Sequence, residues 1–105
     1  MSDIKEKAML AWNRKHSYFN LKEKFQDDLN FSHSNGMWCA NREFISFLTA
    51  FQNVDQIVLE DIYSVPRTVN PVELLEVSKE KYQFAANAWA VEYNKLARVR
   101  QAKNV

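Results

Sequence analysis

From Asn70 to Gln101 the chain reads "NPVELLEVSKEKYQFAANAWAVEYNKLARVRQ", and after its second residue nothing in it breaks a helix. The stretch also opens as a helix should. Asn70 offers a side-chain oxygen to the unpaired N–H groups of a first turn, and Pro71 lacks the donor that turn would waste. Glu73 stands three residues after the cap. Lys95, Arg98 and Arg100 near the other end complement the helix dipole. These signals predict one helix over about 71–101, followed by a basic tail at 102–105. Such a helix is about 45 Å long at 1.5 Å per residue. A chain of 105 residues is a single domain, 1–105, and a compact domain of that size has a radius of gyration of about 13 Å. The helix must therefore overhang its own domain or lie along a neighbour.

Its faces sharpen the point. At 100° per residue, Leu75, Tyr82, Trp89 and Leu96 form one stripe spaced by heptads, with Ala85, Ala86 and Tyr93 beside it. Val77, Phe84, Ala88 and Val91 form a second stripe on nearly the opposite side, bordered by Glu73, Glu76, Glu80, Asn87, Asn94 and Arg98. Two apolar stripes need two partners. One partner is the rest of this domain, and the other is a second copy or another protein, unless the small domain wraps both faces itself. The heptad residues Leu75, Tyr82, Trp89, Tyr93 and Leu96 are the expected interface. Periodicity alone does not decide which stripe faces inward.

The remaining chain has one glycine and two prolines, so helices and short loops are favoured. In 3–15, Ile4, Ala8, Ala11 and Trp12 have helical spacing, and Ser2 or Asp3 can cap the start, which predicts a short helix. Residues 17–31 fit neither period; a strand near Tyr18–Leu21 and a polar turn within Lys22–Asp28 are expected. Next comes "SHSNGMWCA", with the lone glycine and the lone cysteine. Asn35-Gly36 is a strong hairpin signal. A turn centred there pairs Ser34 with Met37, His33 with Trp38, and Phe31 with Ala40. It also puts Ser32 opposite Cys39. Leu29, Phe31, His33, Trp38 and Ala40 then share one face. Asn41 can cap a short apolar helix, "REFISFLTAFQ", expected to be buried. "DQIVLED" reads as a strand, and Pro66 fits an edge or a turn, so a second hairpin should span Ile57–Val69. The fold class is α+β and mainly helical. It has short N-terminal and middle helices and one or two hairpins packed on a long C-terminal helix.

Composition narrows the function classes. Fourteen basic and 13 acidic residues leave a net charge of +1, which disfavours nucleic acid despite the basic helix end with Trp89 and Tyr93 upstream. One cysteine forbids an internal disulfide and fits a reducing compartment. No apolar run approaches the ~20 residues of a membrane span, and "MSDIKEKAML" lacks a signal-peptide core.

Chemistry is sparse. His16, His33 and Cys39 are the soft ligands, without the local four-ligand spacing of a structural zinc site; no metal and no cofactor are expected. Cys39 as a nucleophile needs a histidine base, and hairpin alternation turns His33 to the other face. Asp27-Asp28 and Glu60-Asp61 read as solvated pairs, "LEDIY" being the better candidate for acid chemistry. A single glycine rules out a phosphate loop. No enzymatic site is expected, and "SHSNGMWCA" reads as a turn that delivers aromatics to a core.

The order helix, hairpin, apolar helix, proline-bearing hairpin, long helix resembles a small domain found in tail and tail-fibre proteins of tailed bacteriophages. "KEKAMLAW", "FSHSNGMWCANREFISFLTAF" and "VPRTVNPVELLEVSKEKYQFAANAWAVEYNKL" occupy the corresponding places. The resemblance implies no catalytic residues and a place in the host cytoplasm or the virion. The expected function is a phage-encoded structural or assembly protein that self-associates through its long helix. The alternative is a small phage inhibitor that binds a host protein or a signalling ligand.

Overall fold

The computed structural model describes the backbone of residues 2–103 and the side chains of residues 15–99. In chain order the elements are α1 (Ser2–Asp28), β1 (Asn30–His33), β2 (Gly36–Cys39), α2 (Arg42–Thr49), β3 (Ile57–Glu60), β4 (Pro66–Val69) and α3 (Pro71–Lys103). The fold is α+β, with two separate two-stranded antiparallel sheets and the long C-terminal helix. The radius of gyration is 19.3 Å and the extents are 65 × 25 × 19 Å, well beyond the compact expectation of about 13 Å.

The start of α3 follows its sequence signals. Asn70 Oδ1 accepts from the N–H groups of Val72 and Glu73 at 3.0 and 3.2 Å. The helix runs two residues beyond 101, to Lys103. The cap of α2 is also as expected, with Asn41 Oδ1 accepting from Phe44 N at 2.8 Å. That helix stops at Thr49, where turns begin with Ala50 N bonding to Phe47 O and Phe51 N to Leu48 O. Of its residues only Leu48 is fully buried, and Phe47 is 46% exposed beside Phe51. The expected buried helix is thus amphipathic.

The largest correction is at the N-terminus. No strand forms at Tyr18–Leu21 and no turn interrupts Lys22–Asp28; one helix covers both. Tyr18, Leu21 and Phe25 follow i, i+3, i+7 spacing, and α3 supplies the surface that makes helix the better use of them. The run has no Gly or Pro to oppose it. The expected faces of Ile4, Ala8, Ala11 and Trp12 lie outside the described side chains, as do those of Arg100 and the basic tail.

The first hairpin forms one turn position earlier than expected. Ser34 and Asn35 carry the positive φ values, 50° and 62°, of a two-residue turn. The register is Asn30↔Cys39, Phe31↔Trp38, Ser32↔Met37 and His33↔Gly36. Each strand partner therefore differs by two residues from the expected pairing. A shift of two keeps every side chain on its face, so Leu29, Phe31, Trp38 and Ala40 still point together into the core. Gly36 is needed for space and not for φ. A Cβ there would meet Trp38 Cζ2 at 3.0 Å and Arg67 Cγ at 3.2 Å. The indole lies across the glycine, donates from Nε1 to His33 O at 2.8 Å and stacks on Phe44 at 5.8 Å.

The core joins that hairpin to Leu48 of α2, Val69 of β4, and Leu74, Leu75 and Ala85 of α3. Trp38, Leu48 and Leu74 are sealed from solvent, each contributing roughly 1.5–3 kcal/mol of burial. The two ends of the molecule differ sharply. Hairpins, α2 and the first turns of α3 form a head. Beyond it α1 and α3 continue alone as an antiparallel two-helix arm, in which Phe25 meets Trp89 and Tyr18 meets Tyr93.

Candidate functional site

Three features of the surface carry chemistry or shape: the groove beside the helix seam, the loop between β3 and β4, and the outward face of α3.

The seam comes first because it positions the groove. Phe25 stacks on Trp89 with centroids 4.9 Å apart and meets Tyr82 edge-on at 5.9 Å, while Tyr18 lies 5.0 Å from Tyr93. Leu75 is buried in the head core, and Leu96 lines a shallow cleft with Ser17 and Leu21. Of the residues expected at an intermolecular interface, Leu75, Tyr82, Trp89, Tyr93 and Leu96, the first three are packed within the chain, Leu96 is half-buried, and Tyr93 keeps 47% exposure beside Tyr18. The heptad stripe faces inward, and its partner is α1. A matching signal stood in the sequence of α1, where Ala11, Tyr18 and Phe25 are also seven apart.

Beside the seam, where α1 ends and α2 begins, an open groove encloses about 610 Å³. Phe25, Tyr82 and Trp89 contribute aromatic rings, and Lys22, Arg42 and Glu43 bring charge. Cys39 also lines it. Burial raises the Cys39 thiol pKa; the Asn41 backbone N–H opposes this and the Glu43 charge adds to it, so the net shift is upward. A neutral thiol is a poor nucleophile. His33 does not help it. In the hairpin register His33 is three steps from the position opposite Cys39, about 10 Å along the strand. Its Nδ1 lies 2.8 Å from Ser34 Oγ. Among the described residues no three His, Cys, Asp or Glu side chains cluster as a metal site would require.

The loop after β3 holds a residue whose role the sequence did not reveal. Asp61 is buried, 6% exposed. Its Oδ1 accepts from the N–H groups of Tyr63 and Val65 at 2.9 and 3.1 Å, and its Oδ2 from Met37 N at 3.3 Å. Ile62 N bonds to Met37 O at 3.0 Å, so both outward polar groups of Met37 are met by the second hairpin. Arg67 Nε stands 3.7 Å from Asp61 Oδ2. Burial pushes the carboxyl upward, but the N–H donors of Val65, Met37 and Tyr63 and the charge of Arg67 outweigh it. The net shift is below the ordinary aspartate value. Asp61 is therefore a fixed carboxylate that ties two hairpins together, unsuited to proton donation. The expectation of a solvated Glu60-Asp61 pair holds for exposed Glu60 and fails for Asp61. Asp28, of the other pair, meets Lys24 at 3.1 Å. The tip that Asp61 organises carries exposed Ile62 and Tyr63, at 47% and 69%.

The outward face of α3 is the counterpart of the seam. Phe84 is 77% and Val91 53% exposed, one heptad apart on the side away from α1. Val77 and Ala88 of the same stripe are half-buried. No helix among the described residues is long and apolar enough to cross a membrane. Searches against family models, curated proteins and solved structures return no match to this chain.

Proposed function

We propose that the chain is a non-enzymatic structural or assembly protein, phage-encoded as its resemblance to tail-associated domains suggests, that works by self-association through α3. The observation that carries this is the outward stripe. With the heptad seam satisfied by α1, Phe84 and Val91 remain exposed on a helix that projects from the head. A phenylalanine left 77% exposed forgoes most of its burial energy, and a partner surface would recover it. The protonated Cys39 thiol, the ion-bound Asp61 and the distance of His33 from Cys39 all weigh on the side of binding over catalysis.

Light scattering on the purified protein over a concentration series tests the reading. An oligomer of defined mass supports it, and a monomer at every concentration rejects it.

The aromatic groove favours a second reading, an inhibitor that captures a host protein or a signalling ligand. On that reading an occupant of the groove would shield Cys39 from alkylation, and the thiol-labelling rate in host lysate would fall relative to buffer.

A further inference from the structure

We infer that two copies pair along the outward face of α3 with the helices antiparallel, Phe84 of one copy against Val91 of the other. The inference rests on the self-association reading above and specifies the surface and its polarity.

Charge is what selects the arrangement. The outward face is mainly acidic toward the head, where Glu73, Glu76 and Glu80 are exposed with Lys81 at the opposite border, and basic toward the arm, where Lys95 and Arg98 are exposed. On a helical projection these residues flank Phe84 and Val91. Among the described residues, Glu76, Glu80 and Arg98 have no ion-pair partner within the chain, and Lys95 reaches only Glu92 at 3.2 Å. A second copy running in parallel would set glutamate on glutamate and arginine on arginine. An antiparallel copy, turned about a point between Phe84 and Val91, sets Glu80 opposite Lys95 and brings Arg98 to the level of Glu76 and Glu80. The same rotation brings the two most exposed apolar residues of the face into contact across the axis. Like-charge juxtaposition disfavours the parallel alternative, and the complementary ends fix the register of the antiparallel one.

The opposite side of α3 is already filled by α1, so the outward face is the one a second copy can use without dismantling the seam. Two exposed apolar residues make a narrow contact, and the dimer expected is one that dissociates on dilution and weakens with added salt.

Sedimentation equilibrium over a dilution series tests this on four variants. Phe84→Glu should raise the dissociation constant at least about tenfold while leaving the Tm of the dilute, monomeric protein unchanged, since the ring is exposed in the monomer. Glu80→Lys and Lys95→Glu should each weaken the dimer several-fold, and the two combined should recover much of the loss, because the directly opposed pair again carries opposite charges. A dimer indifferent to Phe84→Glu would place self-association on another surface and overturn the inference. A combined reversal no better than either single one would overturn the antiparallel polarity. A wild-type protein that stays monomeric throughout would reject the self-association reading itself, a failure distinct from the other two.

Discussion

In the head, Trp38, Leu48, Leu74 and Ser78 are closed off from water, and backbone groups of one hairpin are bonded to the loop of the other. Along the arm, past Ala85, none of the described side chains of α3 is buried, and none of those of α1 before Leu29 is. The head is held by sealed apolar volume and cross-links between elements distant in sequence. The arm is held by a single row of half-buried and partly exposed rings between two helices. Parts stabilised in these two ways should differ in cooperativity: the head should open as one unit, and the arm should fray from its far end. The contrast also separates roles. The sealed part supports the fold, and the thinly covered part leaves apolar surface exposed.

Trp38→Ala should have the largest effect. It removes a fully buried indole, its bond to His33 O and its stack on Phe44, at a cost of roughly 3–5 kcal/mol. Urea denaturation should show the whole head destabilised. Loss confined to one hairpin would mean that the head is not a single cooperative unit.

Asp61→Asn should cost less, since the amide keeps one acceptor oxygen, but its effect should depend on pH. The folded carboxyl sits below its ordinary value. Its stabilisation is therefore complete above the unfolded aspartate pKa of about 3.9 and is lost as pH falls through the folded value. The Tm gap between wild type and variant should be widest near neutral pH and should close in acid. A gap that persists in acid would assign the effect to shape and not to charge.

Trp89→Ala tests the arm. The ring is half-buried against Phe25, so about 2 kcal/mol is expected. Hydrogen exchange should accelerate in the far part of α1 and α3 while the head keeps its protection. Uniform acceleration would show that arm and head open together.

Ser78→Ala is the smallest change and the one with opposite sign. The Ser78 hydroxyl is buried in the head without a hydrogen-bond partner. Alanine removes that unmet group and favours helix, for a gain of about 1 kcal/mol, seen as a raised Tm. A fall in Tm would mean that the hydroxyl is in fact satisfied.

Much of the architecture is legible in the sequence. Asn70, Pro71 and Glu73 announced α3, Asn41 announced α2, and both hairpins were expected where they occur. These are local effects, settled within four residues by caps, turns and φ preferences. The errors share a cause too. Residues 17–31 fit neither period because the surface that draws Tyr18 and Phe25 into a helix lies some 65 to 75 positions away on α3. The hairpin register differs because Gly36 is taken up beneath the Trp38 indole, a contact no turn rule contains, and Ser34 and Asn35 carry the positive φ of the turn in its place. Asp61 reads as solvated in the sequence because its donors are divided between its own loop and Met37 of the other hairpin.

By itself, then, the sequence determined where helices begin, which residues pair into hairpins by face, and that α3 carries two apolar stripes. Propensity, capping and periodicity act over short stretches and need no partner. Only the tertiary structure decided that the heptad stripe faces α1, that Asp61 joins the hairpins, and that Phe84 and Val91 are left facing outward. Those outcomes depend on which surfaces meet, and burial goes to the stripe that has a complementary face within the same chain.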